Sequence, residues 1–476
     1  MIDKHRYHNT FYFVLVFTFL TINALAQSDT LSNRILSSKE FFEIVKTHHP
    51  LAKQANLQPE KGDQKLVSAK GSLDPKAFAD VSQKYYSDDR YYSLVNAGLK
   101  IPTYVGIDFY GGLETNDGKY LNPENLTGAD GLWYAGVSVP IGQGLFFDKR
   151  RSEIQRAKIY RESSEIKRIQ LLNKLQADAG KAYWHWFEKY FDYVVYEDAV
   201  VKATTRFNAI KQSAKFGDRP SIDTLEAGIQ VQNRMLNYQQ AKVEYKNARL
   251  LLETFLWAEG IVPLELDSNI RPESLERVYE ILISETQNVE LTKAILNHPE
   301  LTSFGLAIES FEVDQKLKKE QLKPNLNLKY NLLLANGPVE QAQLSPNNYQ
   351  WGLEFSMPIL LRKERGELAM NKILIEESQY QLESKRVGIK MKAQSLLNEL
   401  ETTQDQVRLY NKTVIDYESL LNGEVRKFGL GESSLFMINS REISYITAQL
   451  KYINLVTKNR KMVIETKYSL GTLWQD

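Results

Sequence analysis

Residues 365–428 decide the fold of this chain: RGELAMNKILIEESQYQLESKRVGIKMKAQSLLNELETTQDQVRLYNKTVIDYESLLNGEVRKF. The stretch contains no proline, and apolar residues recur every three or four positions, as at Ile389, Ala393 and Leu396. Thr403 alone places a polar-capable side chain on this apolar face. A mean spacing of about 3.5 residues keeps one face of a helix against its neighbours along its whole length. The sequence therefore predicts a single helix about 96 Å long, at about 1.5 Å per residue.

The overall composition excludes several classes of protein. The 476 residues include 60 basic and 59 acidic side chains and no cysteine. A near-neutral balance argues against a nucleic-acid partner bound by bulk charge. The lack of cysteine excludes a thiolate metal site, a cysteine nucleophile, disulfide bonds and a lipid anchor on an N-terminal cysteine.

The first 26 residues have the pattern of a secretory signal peptide. Basic Lys4 and Arg6 precede an apolar run at residues 11–20, and the small-residue pattern of residues 24–26 would place the mature start at Gln27. The alternative, an uncleaved anchor helix, needs about 20 apolar residues, and this run is shorter. No later stretch is a candidate transmembrane helix. We expect an exported protein, and the missing cysteines favour a bacterial envelope.

The rest of the chain contains a duplication. His49-Pro50 is matched by His298-Pro299, and Leu256-Trp257 is matched by Leu473-Trp474. Between them, and in the same order, residues 137–141, 151–154 and 215–217 are matched by residues 355–359, 365–368 and 427–429. We assign repeat 1 to residues 27–257, a linker with two prolines to 258–274, and repeat 2 to 275–476.

Each repeat contains a pair of alternating strands. In repeat 2, within residues 324–359, apolar residues such as Leu326 and Leu328 alternate with polar ones such as Asn327. In repeat 1 the strands lie within residues 76–141. Such strands fit either a half-buried sheet of a soluble protein or a membrane barrel, and the strands alone do not decide between these readings. In a barrel, Trp133 and Trp351 would lie at the membrane interface.

Repeat 1 is longer than repeat 2 in its strand region. The extra residues predict one more hairpin, with strands at 77–86 and 92–101 and a turn at 87–90. The next strand would place Val105, Ile107 and Phe109 on one face, before a polar loop at 114–131. The sequence therefore allows four or six strands per chain.

Each repeat then contains a long helical hairpin, at residues 151–257 and 365–474. The ascending helices, 151–216 and 365–428, end at glycine-containing breaks, 217–220 and 429–432. Ser221 and Ser433 are the expected N-caps of the returning helices. A four-residue break makes the two helices of each hairpin antiparallel.

Four to six strands cannot sit alone in lipid, where every backbone group must be paired. Three chains would supply 12 or 18 strands, within the range of about 8 to 26 for closed membrane barrels with a water-filled lumen. The predicted fold is thus mainly α with a membrane β-barrel portion: duplicated helix–strand–strand–long-helix repeats in which several chains, for example three, share one α-helical tunnel and one transmembrane barrel.

The order of these elements resembles the TolC-like outer-membrane efflux proteins. The resemblance covers nearly all of the mature chain, from His49-Pro50 to Leu473-Trp474. It implies a homotrimeric channel-tunnel in the outer membrane of a Gram-negative-type envelope, with a large periplasmic portion. It also implies a periplasmic adaptor and an inner-membrane pump as partners, in tripartite efflux or type I secretion of small molecules or proteins. The alternative from another class is a soluble periplasmic coiled-coil scaffold or adaptor.

The resemblance also gives the two breaks a role. In the family they form the periplasmic end of the tunnel, where the adaptor docks and an iris closes. The matching residues are Phe216, Gly217, Asp223, Phe428, Gly431, Ser433 and Met437. Where some members carry tyrosine, arginine and aspartate at the second break, this chain has Phe428, Ser433 and Met437. We therefore expect apolar closure there, by Phe428, Leu435, Phe436 and Met437.

The sequence contains no catalytic constellation. Phosphate-binding loops, zinc-protease motifs and nucleophile elbows are missing. His49 and His298 are interpreted as helix-end residues rather than metal ligands, and Trp184-His185-Trp186 as helix packing. We predict no enzyme activity, no cofactor and no metal site.

Overall fold

The computed structural model describes residues 35–128, 130–284, 291–335 and 347–475. The predicted signal peptide, residues 1–26, lies outside the described residues. Two long helical hairpins and one large antiparallel sheet account for most of the described chain.

The helices follow one another in chain order. They are α1 (Ser38–His48), α2 (Pro50–Asn56), α3 (Gln58–Lys70), α4 (Lys149–Lys215), α5 (Ser221–Glu253), α6 (Leu275–Ser284), α7 (Leu291–Leu296), α8 (Pro299–Glu320), α9 (Arg362–Gly429) and α10 (Leu435–Ser469). The ascending helices α4 and α9 contain 67 and 68 residues. Short 3-10 helices cover Gly71–Leu73, Pro123–Asn125 and Leu473–Gln475.

The strands are β1 (Ile35–Leu36), β2 (Lys76–Tyr86), β3 (Asp89–Pro102), β4 (Asp108–Asp117), β5 (Leu132–Pro140), β6 (Trp257–Ala258), β7 (Val262–Pro263), β8 (Arg271–Pro272), β9 (Asn325–Ala335) and β10 (Tyr349–Ser356). Six of them form one antiparallel sheet in the order β10-β9-β5-β4-β3-β2. Of the two strand numbers that the sequence allowed, the structure has six. The predicted extra hairpin is β2–β3, and β5 of repeat 1 pairs directly with β9 of repeat 2.

The apolar face predicted for residues 365–428 is the buried face of α9. Ile389, Ala393, Leu396 and Leu400 are all buried. Thr403 is buried as well, and its hydroxyl donates to the carbonyl of Leu400 and accepts from the side chain of Asn459 on α10. The polar residue in the apolar face is therefore hydrogen-bonded, which removes most of the cost of burying it.

The main core lies where α4 passes the short N-terminal helices and α10. Tyr183, Trp184, Trp186 and Phe187 of α4 are buried there against Phe41 of α1. The interpretation of Trp184 and Trp186 as packing residues is therefore confirmed. No helix in the described ranges is both long enough and apolar enough to cross a membrane.

Several predicted boundaries were wrong. The returning helix α5 ends at Glu253 rather than 257, and α10 covers Leu435–Ser469 rather than 433–474. Pro220, not Ser221, is the N-cap residue of α5. The N-cap of α10 is Ser434, whose hydroxyl accepts from the backbone N–H of Met437 at 3.3 Å, so Ser433 lies one residue outside the helix.

The strand boundaries also differ in repeat 1. The turn of the first hairpin is only Ser87 and Asp88, both with positive φ, which is the two-residue turn that matches the twist of a hairpin. Val105 and Ile107 precede β4 because Gly106, at φ +91°, turns the chain there. At its other end β4 continues to Asp117, into the predicted polar loop, because residues 108–117 stay paired with β3.

Candidate functional site

The large sheet has one polar face and one apolar face. The register places Lys100, Glu114 and Asn331 on the first, and Val137 and Leu328 on the second. Trp133 and Trp351 are on the apolar face, with 47% and 61% of their surface exposed. Both Trp residues lie toward the end of the sheet that is remote from the long helices, because β5 and β10 run back toward α4 and α9.

Glycines on the polar face make room for tyrosine rings. An added Cβ at Gly112 would collide with the carbonyl oxygen of Ala97 and lie 2.9 Å from the hydroxyl of Tyr134. That hydroxyl donates to the side-chain oxygen of Asn96 at 2.8 Å. The ring of Tyr110, on β4, lies against Gly136 on β5 in the same way. Its hydroxyl donates a hydrogen bond to the side-chain oxygen of Asn331 on β9, the strand beyond β5. These tyrosines tie neighbouring strands together on the polar side.

The sheet ends in two edges that have no partner strand within the described chain, β2 and β10. All eight residues of β10 are exposed, and so are ten of the eleven residues of β2. Unpaired N–H and C=O groups at such an edge are a template for a further strand.

At the opposite end of the molecule, each helical hairpin turns at a glycine. Gly217 and Gly431 have φ of +82° and +79°, the left-handed conformation that ends a helix at little cost only for glycine. The neighbouring aromatic residue Phe216 is 79% exposed, and Leu430 is 75% exposed. The two tips thus present apolar side chains to the outside.

The two tips contact each other within one chain. The guanidinium carbon of Arg219, in the first tip, lies 3.9 Å from the centre of the Phe428 ring in the second. Leu435 at the start of α10 is buried against Ile210 of α4 and Ala227 of α5. A cation–π contact and a small apolar cluster therefore hold repeat 1 and repeat 2 together at this end.

Farther from the tips, a buried ionic network crosses between the same helices. The carboxylate of Glu442 on α10 accepts two hydrogen bonds from Arg206 on α4, at 3.0 and 3.1 Å. Arg234 on α5 lies 3.7 Å from the same carboxylate, and Glu442 has only 3% of its side chain exposed. Asn439, one turn earlier on α10, donates to Glu226 on α5 at 3.0 Å. The network joins three helices of both repeats.

The architecture has clear structural relatives, although no protein-family model and no curated protein matches the sequence. The outer membrane channel CmeC of Campylobacter jejuni superposes with a TM-score of 0.67 at 13% identity, over 91% of this chain and 85% of that one. The open state of the MtrE outer membrane channel of Neisseria gonorrhoeae gives 0.67 at 14%, over 91% and 89%. The outer membrane protein VceC of Vibrio cholerae gives 0.63 at 11%, over 91% and 95%. The chain has the TolC-like fold.

The TolC-like fold places the predicted tip residues at one end but gives them different surroundings. Asp223 lies on the first turn of α5 and pairs with Arg219 at 3.7 Å. Ser433 is hydrogen-bonded to Glu424 of α9. Met437 is half-buried. Of the four residues expected to close the second tip, Leu435 and Phe428 pack against repeat 1, while Phe436 is 69% exposed.

The Glu442 network of this TolC-like chain was missed at the sequence level. A signal for it was present, because Leu435, Ile438, Glu442 and Ile446 recur at the spacing of a buried helix face. A charged residue on such a face requires a partner. Arg206 could not be identified as that partner, since 236 residues separate the two in sequence.

His49 and His298 join helices end to end. In His298, Nδ1 accepts from the backbone N–H of Glu300 at the start of α8, and Nε2 donates to the carbonyl of Ser469 at the end of α10, 3.2 Å away. His49 caps α2 through Leu51 and bonds the backbone of Thr254 after α5. Burial lowers the pKa of both imidazoles, which keeps them neutral.

Each histidine thus uses both nitrogens, one to cap a helix start and one to cap a helix end. The interpretation of these residues as helix-end residues now has a mechanism, since each links the end of a returning helix, α5 or α10, to the start of α2 or α8 in the same repeat. Within the described chain no group of three or more histidine, aspartate or glutamate side chains is placed to hold a metal ion.

Proposed function

We propose that the protein is an outer-membrane channel-tunnel that passes exported small molecules or proteins, within a tripartite efflux or type I secretion system. One observation carries the proposal: a six-stranded sheet, apolar on one face and polar on the other and open at both edges, continues directly into the long hairpins. The outer-membrane channels with the same fold support it.

Three copies of this sheet supply 18 strands, and edge-to-edge pairing of β10 with β2 of the next copy closes the ring. With strands about 4.8 Å apart and tilted by about 40°, the backbone ring has a radius of about 18 Å. Such a ring has a lipid-facing apolar surface and a water-filled polar interior. Helix α4, with 67 residues, extends about 100 Å beyond it, a length suited to crossing the periplasm.

The tips are the proposed contact with a periplasmic adaptor and, through it, with an inner-membrane pump. Phe216, Leu430 and Phe436 form an exposed apolar set there, of the kind that marks a protein-binding surface. The Arg219–Phe428 contact and the Glu442 network oppose separation of the two hairpins, so they act as the latch of the iris. In place of a ring of charges, the second tip relies on apolar packing by Leu435 and Phe428.

A soluble scaffold or adaptor is not favoured. In that case the apolar face of the sheet, including Trp351 at 61%, Leu353 at 53% and Phe355 at 66% exposure, would lie against water. Burying such a surface in lipid is far more favourable than solvating it.

Fractionation and bilayer recording test the proposal together. We expect the full-length protein in the outer-membrane fraction, as a trimer by cross-linking and mass measurement, and ion conductance when the trimer is added to a planar bilayer. Recovery of the protein as a soluble periplasmic monomer contradicts the proposal. A trimer that conducts no ions, even when tip variants weaken the Arg219–Phe428 contact or the Glu442 network, contradicts it as well.

A further inference from the structure

The loop between β4 and β5 folds back over the polar face of the sheet. The backbone N–H of Thr127 donates to the carbonyl of Asn116 at 3.2 Å, and the hydroxyl of Thr127 accepts from the N–H of Asn116 at 2.8 Å. Asn116 is on the polar face and is only 7% exposed. In an open sheet, a residue at the end of a strand on the solvated side reaches this burial only when chain lies over it.

Loop and sheet line a common open cavity of about 720 Å³. Residues 124–127 of the loop line it together with Tyr134, Lys329 and Asn331 from the polar face. Apolar residues also occur on that face at this end, and two of them, Leu132 and Leu333, line the cavity with Leu126 of the loop. These side chains give the loop an apolar surface to pack against.

Opposite charges line the same cavity. Glu124 belongs to the loop and Glu114 to β4, while Lys100 and Lys329 extend from β3 and β9. Glu114 accepts from the side chain of Asn116 at 2.6 Å, and Lys329 lies 3.7 Å from Glu354. Lys100 is paired as well, 3.0 Å from Asp108. Charged groups of both signs therefore line the cavity, with Glu124 on the loop and the Lys329–Glu354 pair on the sheet.

We propose that residues 118–128 form a constriction inside the barrel, and that Glu124 and Lys329 select the solutes that pass it. The inference rests on the proposed channel function. An 18-stranded ring leaves a wide lumen, and a loop folded inward from each subunit narrows it. Charges of both signs on its walls favour small polar solutes that carry both charges, since such solutes can pair with each of them. The barrel end thus contributes to selectivity, in addition to the helical tips.

Cysteine labelling tests the position of the loop, because the chain has no native cysteine. The full-length Leu126→Cys trimer is recorded in a planar bilayer and treated with a small, positively charged methanethiosulfonate. We expect the conductance to fall in steps, one per subunit. Asp88→Cys, in the exposed turn between β2 and β3 at the same end, is the matched control, and its labelling should leave conductance unchanged. Complete labelling of Leu126→Cys without any change overturns the inference.

Charge-neutralising variants test the selectivity. In a salt gradient, Glu124→Gln should move the reversal potential toward anion preference, and Lys329→Gln should move it toward cation preference. Shifts of the same sign, or none, overturn the assignment of these two residues. A wild-type trimer that forms no channel would instead overturn the proposed function, so the two failures are distinguishable.

Discussion

Replacing Glu442 by glutamine removes the carboxylate that Arg206 and Arg234 share near the hairpin tips. The side chains of Glu442 and Arg234 are 3% and 8% exposed, and Arg206 is 17% exposed. In the part of the chain that the structure describes, Nε and Nη2 of Arg234 have no hydrogen-bond acceptor. Glutamine keeps the shape of glutamate and one acceptor oxygen, but leaves the buried guanidinium of Arg234 and the half-buried guanidinium of Arg206 without this counter-charge.

Removing one partner of a buried ion pair typically costs about 3–5 kcal/mol. Because Arg206 retains some solvent and glutamine retains an acceptor, we expect about 2–3 kcal/mol per subunit here. Each 1.4 kcal/mol is a factor of about ten, so the contact of α10 with α4 and α5 weakens by about 30- to 150-fold. If this contact holds the iris shut, the variant should open more often.

Single-channel recording of the Glu442→Gln trimer measures that opening, and we expect a higher open probability or conductance than in the wild type. Glu432→Gln makes the same chemical change at an exposed position beside the tip and is the matched control. The double variant Arg206→Gln/Glu442→Gln should show less than the sum of the single effects, because the two side chains share one interaction. A Glu442→Gln trimer that is folded but records like the control refutes the latch.

Three further changes have defined outcomes. Gly112→Ala should reduce trimer yield in outer-membrane extracts, because its Cβ would meet the backbone of β3, whereas Gly128→Ala, in the loop between β4 and β5, has open space and should be neutral. Leu435→Ala should lower tip stability by about 2–4 kcal/mol and speed limited proteolysis at residues 217–220, whereas exposed Phe436→Ala should stay within about 0.5 kcal/mol. Burial lowers the pKa of His298 below 6.5, so the unfolded chain binds more protons than the folded chain below that pH. The stability of the fold should therefore fall as pH drops below 6.5. His298→Asn can still cap a helix, and it should show a weaker pH dependence of Tm.

The long helices were predictable because their signal is local and repeated. Residues 365–428 lack proline and keep one apolar spacing throughout, so the register of α9 against its neighbours follows from the sequence itself. The strands were predictable for the same reason, since the alternation of apolar and polar residues repeats every two positions. The ends of the helices were not predictable to the residue. Ser433 and Ser434 are equally able to cap α10, and only backbone geometry selects Ser434.

The contacts between repeats were not predictable in this way. Arg206 and Glu442 are brought together by the packing of two hairpins, and the stacking of Arg219 on Phe428 depends on the relative height of two tips. The two nitrogens of His298 illustrate the same limit. The sequence His-Pro predicts a helix boundary, but not that the end of α10 lies on the other side of the ring.

The two unpaired edges of the sheet have a consequence for genetics. If β10 of one copy pairs with β2 of the next, the joint is head-to-tail, and every subunit must accept a neighbour on both sides before the ring can close. A chain whose β2 is blocked, for example by proline, can still attach to a neighbour through β10, but no further subunit can attach to its β2. Co-expressed with the normal chain, it should draw intact copies into rings that cannot close. Such alleles should therefore be dominant, whereas alleles that prevent folding altogether should be recessive.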